Sequence, residues 1–390
     1  MKRFGHYLAG ASLGSVILIA VGVAAGLGTT LTYLAYIVSY GFPADPVPFW
    51  EGEIGASALG QLSRIGFAAA ALVVGSGAAV IAYRNQRLKE EAHTRAETRE
   101  HQDRFVSAAG QIGSDNASIR IAGVYAMSLL AAQLTDSGFR QQCVDVLCAY
   151  LRMPQRQIPD ALTPSVLLDD PADWHVRQII QRSIATYLDV RSESRWDAVD
   201  IDLRGAQLRD FSLNYVKLRN LTIADADFSG DFFMQESVVA AQMDSRGAHF
   251  SQNAIFGESI FVGRARFYGA KFDRQASFVK TQFRSLAWFY DCVFKGSVGF
   301  GSTEFHSTVG FERADFGGNA GFLLATFRGK ATFQDAVFKR PRFTKAHFYE
   351  HASFVRASFS AKITFTGAEF LRGHDFSGAT RGGSAWSGPE

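Results

Sequence analysis

Apolar residues recur at short, fixed steps through the C-terminal half of the chain. From Leu203 to Met243 the apolar centres follow one another every five residues. From Phe250 to Phe376 every centre is phenylalanine, and the steps alternate between six and five. So short and regular a period predicts a solenoid built from many similar strands. The first nine centres are Leu203, Leu208, Leu213, Leu218, Ile223, Phe228, Phe233, Val238 and Met243.

Small residues occupy the position two before most centres. Positions i and i−2 of a strand point to the same side, so the small and the large residue should face the interior together. Two steps break the pattern: seven residues separate Met243 from Phe250, and five separate Phe338 from Phe343, with Pro341 in the small-residue position. The small residues are Ala248, Ala254, Ala265, Ala270, Ala276, Ala314, Ala320, Ala325, Ala331, Ala336, Ala346, Ala352, Ala357 and Ala368.

This repeat, A-x-F or A-x-L, resembles the pentapeptide-repeat family, and its alternating five- and six-residue form resembles the phenylalanine-rich branch of that family. The resemblance covers Leu203 to Phe376, in a repeat domain predicted at 197–376. It implies an all-β, right-handed quadrilateral β-helix of about eight coils, with the extra residue bulging at alternate corners. A left-handed hexapeptide β-helix is the alternative, but two steps of six never follow one another here.

Helical patterns precede the repeat. Residues 84–104 are dense in charge, with Glu91 and Arg95 four apart, which predicts a solvated helical stalk. Residues 105–196 predict a small all-α module with a Pro-rich linker, including a helix from about Asn116 to Leu134 that Ser114 or Asp115 would cap. The segment GSDNASIRIAGVYAMSLLA resembles a HEAT-like helix pair of membrane-anchored, repeat-bearing bacterial proteins.

Two apolar stretches predict a transmembrane helical hairpin within residues 1–83. The first runs from Gly14 to Tyr40 and the second from Ile65 to Tyr83, and each approaches or exceeds the ~20 residues that cross a bilayer. A cleaved signal peptide is the alternative for the first stretch. Basic residues flank the hairpin on both outer sides, which places both termini in the cytoplasm. We therefore expect a multi-pass protein of the bacterial inner membrane with a cytoplasmic C-terminal region.

Glycines recur on one side of the first apolar stretch. Gly14, Gly22 and Gly26 lie at spacings of eight and four, and small residues so placed let two transmembrane helices approach closely. Packing of the two spans against each other and homodimerisation are both open interpretations.

The sequence offers no chemistry that predicts an enzyme. Cys143, Cys148 and Cys292 include no CxxC pair, and the first two are expected to be buried core thiols. The five histidines of the repeat are expected on its exterior, without the spacing of metal ligands. We therefore predict no catalytic residues, no cofactor and no metal. The histidines are His249, His306, His347, His351 and His374.

The charge of the repeat bears on its partner. Residues 201–245 contain four basic and seven acidic residues, whereas 246–390 contain 19 and 11. Some pentapeptide-repeat proteins mimic duplex DNA and bind topoisomerases, but a basic exterior has the wrong sign for that role, which stays the alternative. No nucleic-acid partner is expected, because the phenylalanines point inward and cannot stack on bases. A membrane-anchored scaffold that presents the repeat to a protein or lipid partner is the favoured interpretation.

The segment KRPRFTK holds the densest cluster of cations in the repeat. Lys339, Arg340, Arg342 and Lys345 should all point outward, where they form a candidate binding surface for anionic lipid or an acidic partner. An ordinary solvated face is the favoured interpretation of the cluster, and the binding surface is the alternative.

The two ends of the predicted solenoid must be closed. The helical module can cover the first coil. Residues 377–390 form a predicted flexible tail without a capping helix, so Trp386 or a partner would have to close the last coil.

Overall fold

The structure is a computed structural model that describes residues 56–159, 167–360 and 363–389, with scattered helical positions between 22 and 38. The chain divides into two compact units, Met1–Glu100 and His101–Glu390. Helix α1 (Ala56–Ile112) begins in the first unit and ends in the second.

The first unit does not confirm the predicted transmembrane hairpin. Among the described residues, no helix combines the length and the apolarity needed to cross a membrane. Most of the first predicted span, including Gly14, lies outside the described residues, as do residues 41–55 between the two spans. The second span and the stalk are both part of α1. The stalk is helical as predicted, and Arg95 lies 3.7 Å from Glu91.

Three helices form the module at the start of the second unit: α2 (Ala117–Gln133), α3 (Ser137–Arg152) and α4 (Pro171–Leu188). The predicted helix at 116–134 is confirmed, but its cap is Asn116, whose side chain accepts a hydrogen bond from the Ser118 amide. Strands β1 (Gln157–Pro159) and β2 (Leu167–Asp169) form an antiparallel pair within the predicted Pro-rich linker. Residues 160–166 of that linker lie outside the described residues.

The repeat forms a parallel β-solenoid of about eight coils, as the periodicity predicted, and each coil contributes to four ladders, here called faces 1 to 4 in chain order after Leu203. Face 1 contains β4 (Gln207–Leu208), β7 (Asp227–Phe228), β10 (His249–Phe250), β14 (Lys271–Phe272), β18 (Val293–Phe294), the first halves of β22 (Asp315–Gly321) and β25 (Val337–Arg342), β28 (Ser358–Phe359) and β31 (Thr380–Arg381). Face 2 contains β5 (Phe211–Ser212), β8 (Phe232–Phe233), β11 (Ala254–Ile255), β15 (Ala276–Ser277), β19 (Val298–Gly299) and the second halves of β22 and β25.

The other two faces share two long strands, β6 (Lys217–Thr222) and β9 (Val238–Asp244). Face 3 adds β12 (Ile260–Phe261), β16 (Gln282–Phe283), β20 (Glu304–Phe305), β23 (Thr326–Phe327), β26 (His347–Phe348) and β29 (Glu369–Phe370). Face 4 adds β3 (Asp200–Asp202), β13 (Arg264–Arg266), β17 (Ala287–Trp288), β21 (Val309–Gly310), β24 (Ala331–Thr332), β27 (Ala352–Ser353) and β30 (His374–Asp375). Strand β32 (Ser384–Ala385) pairs antiparallel with β31.

Phenylalanine rings fill the interior of the solenoid. Within a ladder, rings of successive coils stack, as Phe272 does on Phe294 at 4.9 Å between centroids and 7° between planes. Rings from opposite faces meet edge to face, as Phe267 meets Phe278 at 5.3 Å and 87°. Both arrangements are favourable for aromatic quadrupoles. The interior is therefore an ordered lattice of rings. The buried alanines are small enough to leave space for these rings.

The predicted centres Phe233, Val238 and Met243 are wrong. The buried centres are Met234, Val239 and Ser245, because Phe232 pairs with Ala254 and Met243 pairs with Ala265. The steps therefore alternate between six and five already from Phe228, and the predicted step of seven does not exist. In the repeats centred on Met234 and Ser245, the large side chain, Phe232 or Met243, takes the inward position that alanine takes elsewhere. The centre is then filled by the flexible Met234 or the small Ser245. The two inward positions together keep the interior filled.

The corners alternate between two forms. After faces 2 and 4 the chain turns through a residue with positive φ, such as Lys280 (57°) or Asp291 (54°), and the step is five. The six-residue steps cross the other two corners, as predicted. The exception at Phe338 to Phe343 is also confirmed: β22 and β25 pair with a register shift after Phe316, and the buried Pro341 pairs with Ala320.

Both ends of the solenoid are covered. At the N-terminal end, Gln141 of α3 exchanges two hydrogen bonds with the backbone of Asp200 at 2.8 and 2.9 Å, which satisfies the edge strand β3. At the C-terminal end, β31 and β32 turn the chain back, and Trp386 packs on Phe376 and Phe359 at 5.0 and 5.3 Å between centroids. Phe365 and Phe370 of the last coil stay half-buried.

Candidate interaction surface

The four predicted cations lie in one coil, the seventh, between the end of face 1 and the corner that follows face 2. Lys339, Arg340 and Arg342 belong to β25, and Lys345 is the corner residue with positive φ (53°) that follows face 2. All four are exposed, as predicted. The inward positions between them are taken by Pro341 and Phe343, so the alternation of the strand directs the cations outward. We call these four residues the basic edge.

The basic edge differs from the corner on the other side of the coil. There, charges of opposite sign follow one another from coil to coil, and Asp291 binds Arg313 at 2.6 Å while Asp335 binds Arg356 at 2.7 Å. The arginine partners lower the pKa of both carboxyl groups. No carboxylate of the described residues lies within 4.0 Å of a cation of the basic edge. Its charge is therefore not neutralised within the solenoid.

A second charged group, which sequence reasoning missed, lies on face 1. His249 Nδ1 is 3.0 Å from Asp227 and Nε2 is 2.9 Å from Asp273, and Lys295 lies 2.8 Å from the same Asp273. Lys295 and then His249 lower the pKa of the Asp273 carboxyl. The residues come from successive coils and lie 22 or 24 apart in the sequence, so the repeat length itself was the available signal. The arrangement is a polar ladder in which acidic and basic side chains alternate.

The other predicted histidines lie at the surface, as expected. His374 is exposed too, although its backbone pairs with the inward Ala352 and its ring lies 4.7 Å from that of Phe370 at the end of the stack. In the described part of the chain, no group of three or more His, Cys, Asp or Glu side chains is placed to hold a metal ion.

The helical module contains a buried polar network that the sequence did not reveal. Asp173 and Arg177 are each 1% exposed. Asp173 accepts hydrogen bonds from the Tyr150 hydroxyl and, at 2.9 Å, from Arg177 Nε. Burial alone would raise the pKa of Asp173, but these hydrogen bonds lower it overall. Arg120, also buried, places Nη2 3.9 Å from Asp173 and donates to the backbone oxygens of Ser114 and Asp115. The network ties α2, α3 and α4 together.

The three cysteines are buried and free, as expected for core thiols. Burial raises the pKa of the Cys143 thiol to about 11 and that of Cys148 to about 12, so both are unreactive at neutral pH. Of the predicted membrane-packing glycines, Gly22 and Gly26 are helical, and a Cβ added at either would meet no described atom within 4 Å. Gly14 lies outside the described residues.

Comparison with known proteins does not extend this picture. No family model matches the chain, and neither a curated protein nor a solved structure is significantly similar to it. The described fold is nevertheless consistent with a pentapeptide-repeat solenoid.

Proposed function

We propose that this chain is a non-enzymatic interaction protein of the pentapeptide-repeat type, whose basic edge binds an anionic surface on a partner. The observation that carries the proposal is the exposure of Lys339, Arg340, Arg342 and Lys345 without a carboxylate near any of them, beside corners whose charges are paired. Each basic residue near an anionic surface contributes about 1 kcal/mol before screening by salt. Four such residues give a weak, orienting contact.

We further propose that the N-terminal segment anchors the chain in a bacterial inner membrane, with the solenoid in the cytoplasm. The support is the sequence alone: two apolar stretches, Gly14 to Tyr40 and Ile65 to Tyr83, with basic residues on their outer flanks. Protease added to inverted membrane vesicles should then degrade the region beyond Arg84. Protection in inverted vesicles, with cleavage from outside intact cells, would overturn this topology.

The basic edge can be tested with the full-length chain held in nanodiscs of neutral lipid. Such nanodiscs should co-sediment with separate vesicles that contain anionic lipid, and the binding should weaken as salt rises. Changing Lys339, Arg340, Arg342 and Lys345 to Glu should abolish it. The matched control changes Lys271, Arg274, Arg284 and Lys330 to Glu, since these four exposed cations are spread over faces 1 and 3 and the corners that follow them. Equal binding of both variants would overturn the role of the basic edge.

A DNA-mimicking, topoisomerase-binding regulator is disfavoured. Residues 246–390 contain 19 basic and 11 acidic residues, and mimicry of duplex DNA needs the opposite sign.

A further inference from the structure

Face 2 has an unusual exterior over its first six coils. Its outward positions on both sides of the centre are uncharged there, whereas the corresponding positions of face 1 include Lys271, Asp273 and Lys295. Val279 and Leu323 are 38% and 49% exposed on this face. The outward residues before the centre are Ser212, Phe233, Ile255, Ser277, Gly299, Gly321, Arg342 and Thr364, in the order of the ladder. Those after it are Asn214, Gln235, Gly257, Val279, Gly301, Leu323, Thr344 and Thr366.

Two glycines of this face are not required by the solenoid itself. A Cβ added at Gly301 would come no closer than 3.7 Å to another atom, and one at Gly321 no closer than 3.9 Å, and neither residue has a positive φ. Elsewhere the opposite holds: a Cβ at Gly263 would lie 1.5 Å from the Ala241 carbonyl oxygen. Gly301 and Gly321 therefore leave depressions on the exterior that the coil does not need.

On face 2, bulky residues and glycines exchange places about the midpoint between the fourth and fifth coils: where the third, fourth or sixth coil has an apolar side chain, the matching coil of the other half has a glycine. If two copies meet face to face and antiparallel, the second coil of one lies over the seventh of the other, and the third over the sixth. Ile255 then lies over Gly321, Leu323 over Gly257, and Val279 over Gly301. Each apolar side chain thus meets a glycine. Phe233 meets Arg342, a pair suited to a cation–π contact.

The charges on the two edges of face 2 are also complementary between matching coils, acidic in the second coil and basic in the seventh. Asp231 and Glu236 flank the strand of the second coil, and Arg340 and Lys345 flank that of the seventh. In the antiparallel arrangement Asp231 lies opposite Arg340, and Glu236 opposite Lys345. A parallel face-to-face arrangement would instead place Asp231 against Glu236 and Arg340 against Lys345 of the second copy, and both pairs are repulsive.

We propose that face 2 binds a second copy of this chain in an antiparallel, two-fold symmetric contact. The proposal rests on the proposed function, since the acidic edge of the second coil becomes the anionic surface that the basic edge binds. Eight coils of about 4.8 Å and a face roughly 10 Å wide give on the order of 400 Å² per copy. Contacts of that size are weak and transient, so the dimer should form only at high chain concentration.

A charge swap tests the contact, measured by sedimentation velocity on the full-length chain in detergent over a range of concentrations. Glu236 and Lys345 suit this test because both are exposed and have nearly the same φ, 50° and 53°. Lys345→Glu alone should weaken self-association by about tenfold or more, because the two-fold symmetry creates the repulsion twice. Glu236→Lys should do the same. The double variant should restore wild-type association, and failure to do so would overturn the antiparallel pairing.

A second variant separates this proposal from the proposed function. Gly301→Leu should abolish self-association through a clash with Val279 of the second copy, with an unchanged melting temperature, while leaving all four cations in place. It should still bind anionic vesicles. A wild-type chain that stays monomeric at about 100 µM, or a Gly301→Leu variant that associates normally, would overturn the dimer. Vesicle binding by such a monomer would leave the proposed function standing.

Discussion

The helical module and the solenoid place their charges in opposite ways. The module buries Arg120, Asp173 and Arg177 in its centre, where they form hydrogen bonds with one another's helices or with the backbone. The interior of the solenoid is instead aromatic and aliphatic, with a few hydroxyls such as Thr303, which donates to the Phe278 carbonyl at 2.6 Å. Its backbone ladders already satisfy the amides, so the solenoid needs no buried ions to fix its register, whereas the module fixes its helix contacts through specific polar partners.

The largest expected effect comes from introducing a charge where the solenoid excludes it. Phe300 is fully buried between stacked Phe278 and Phe322, so Phe300→Asp buries an unpaired carboxylate at a cost of several kcal/mol or more. Neighbouring coils depend on the stack and should unfold with it. Thermal melting should show the loss, whereas Ser302→Asp, two residues away and exposed, should be nearly silent. Equal losses would contradict the inward assignment.

A smaller effect is expected in the coil whose two inward positions are not occupied by alanine and phenylalanine. Met243 and Ser245 fill the two inward positions that Ala265 and Phe267 fill one coil later. Met243→Ala should cost about 2–5 kcal/mol through the cavity it leaves. Ser245→Phe should cost about 1–3 kcal/mol through overpacking.

The double variant Met243→Ala/Ser245→Phe should recover most of that stability, because it gives the coil the standard Ala and Phe pair. Chemical denaturation of the four proteins measures the coupling. Losses that simply add would show that the two positions do not share one volume.

The same positions explain how far the sequence could predict the fold. The alternation of five and six residues was enough to predict the solenoid, its number of coils and the outward direction of the basic edge. Successive side chains of a strand point to opposite sides, so phenylalanines that face inward leave the charged residues between them facing outward. A step of five continued beyond Phe228 makes Phe233 and Met243 centres, and this register is wrong because the step to the next centre is already six. Phe233 therefore faces outward, and Met243 takes the inward position two before the centre. The contacts of Asp173 and His249 could not be predicted either, since their partners come from other helices or from successive coils.

The smallest effect should appear at alkaline pH, in the helical module. Burial, followed by the hydrogen bond to Asp173, raises the pKa of Tyr150 from 10.0 to about 12, and burial raises that of Cys148 from 9.0 to about 12. A raised pKa in the folded state means that the unfolded chain releases its proton first. The stability these groups contribute is therefore fully present below pH 9 and is lost as the pH rises towards 12. Hydrogen exchange followed from pH 8 to 11 should show opening of α3 and α4 before the solenoid. In Tyr150→Phe, which removes the titrating hydroxyl, the decline with pH should be shallower than in the wild-type chain, and an identical decline would contradict the role of Tyr150.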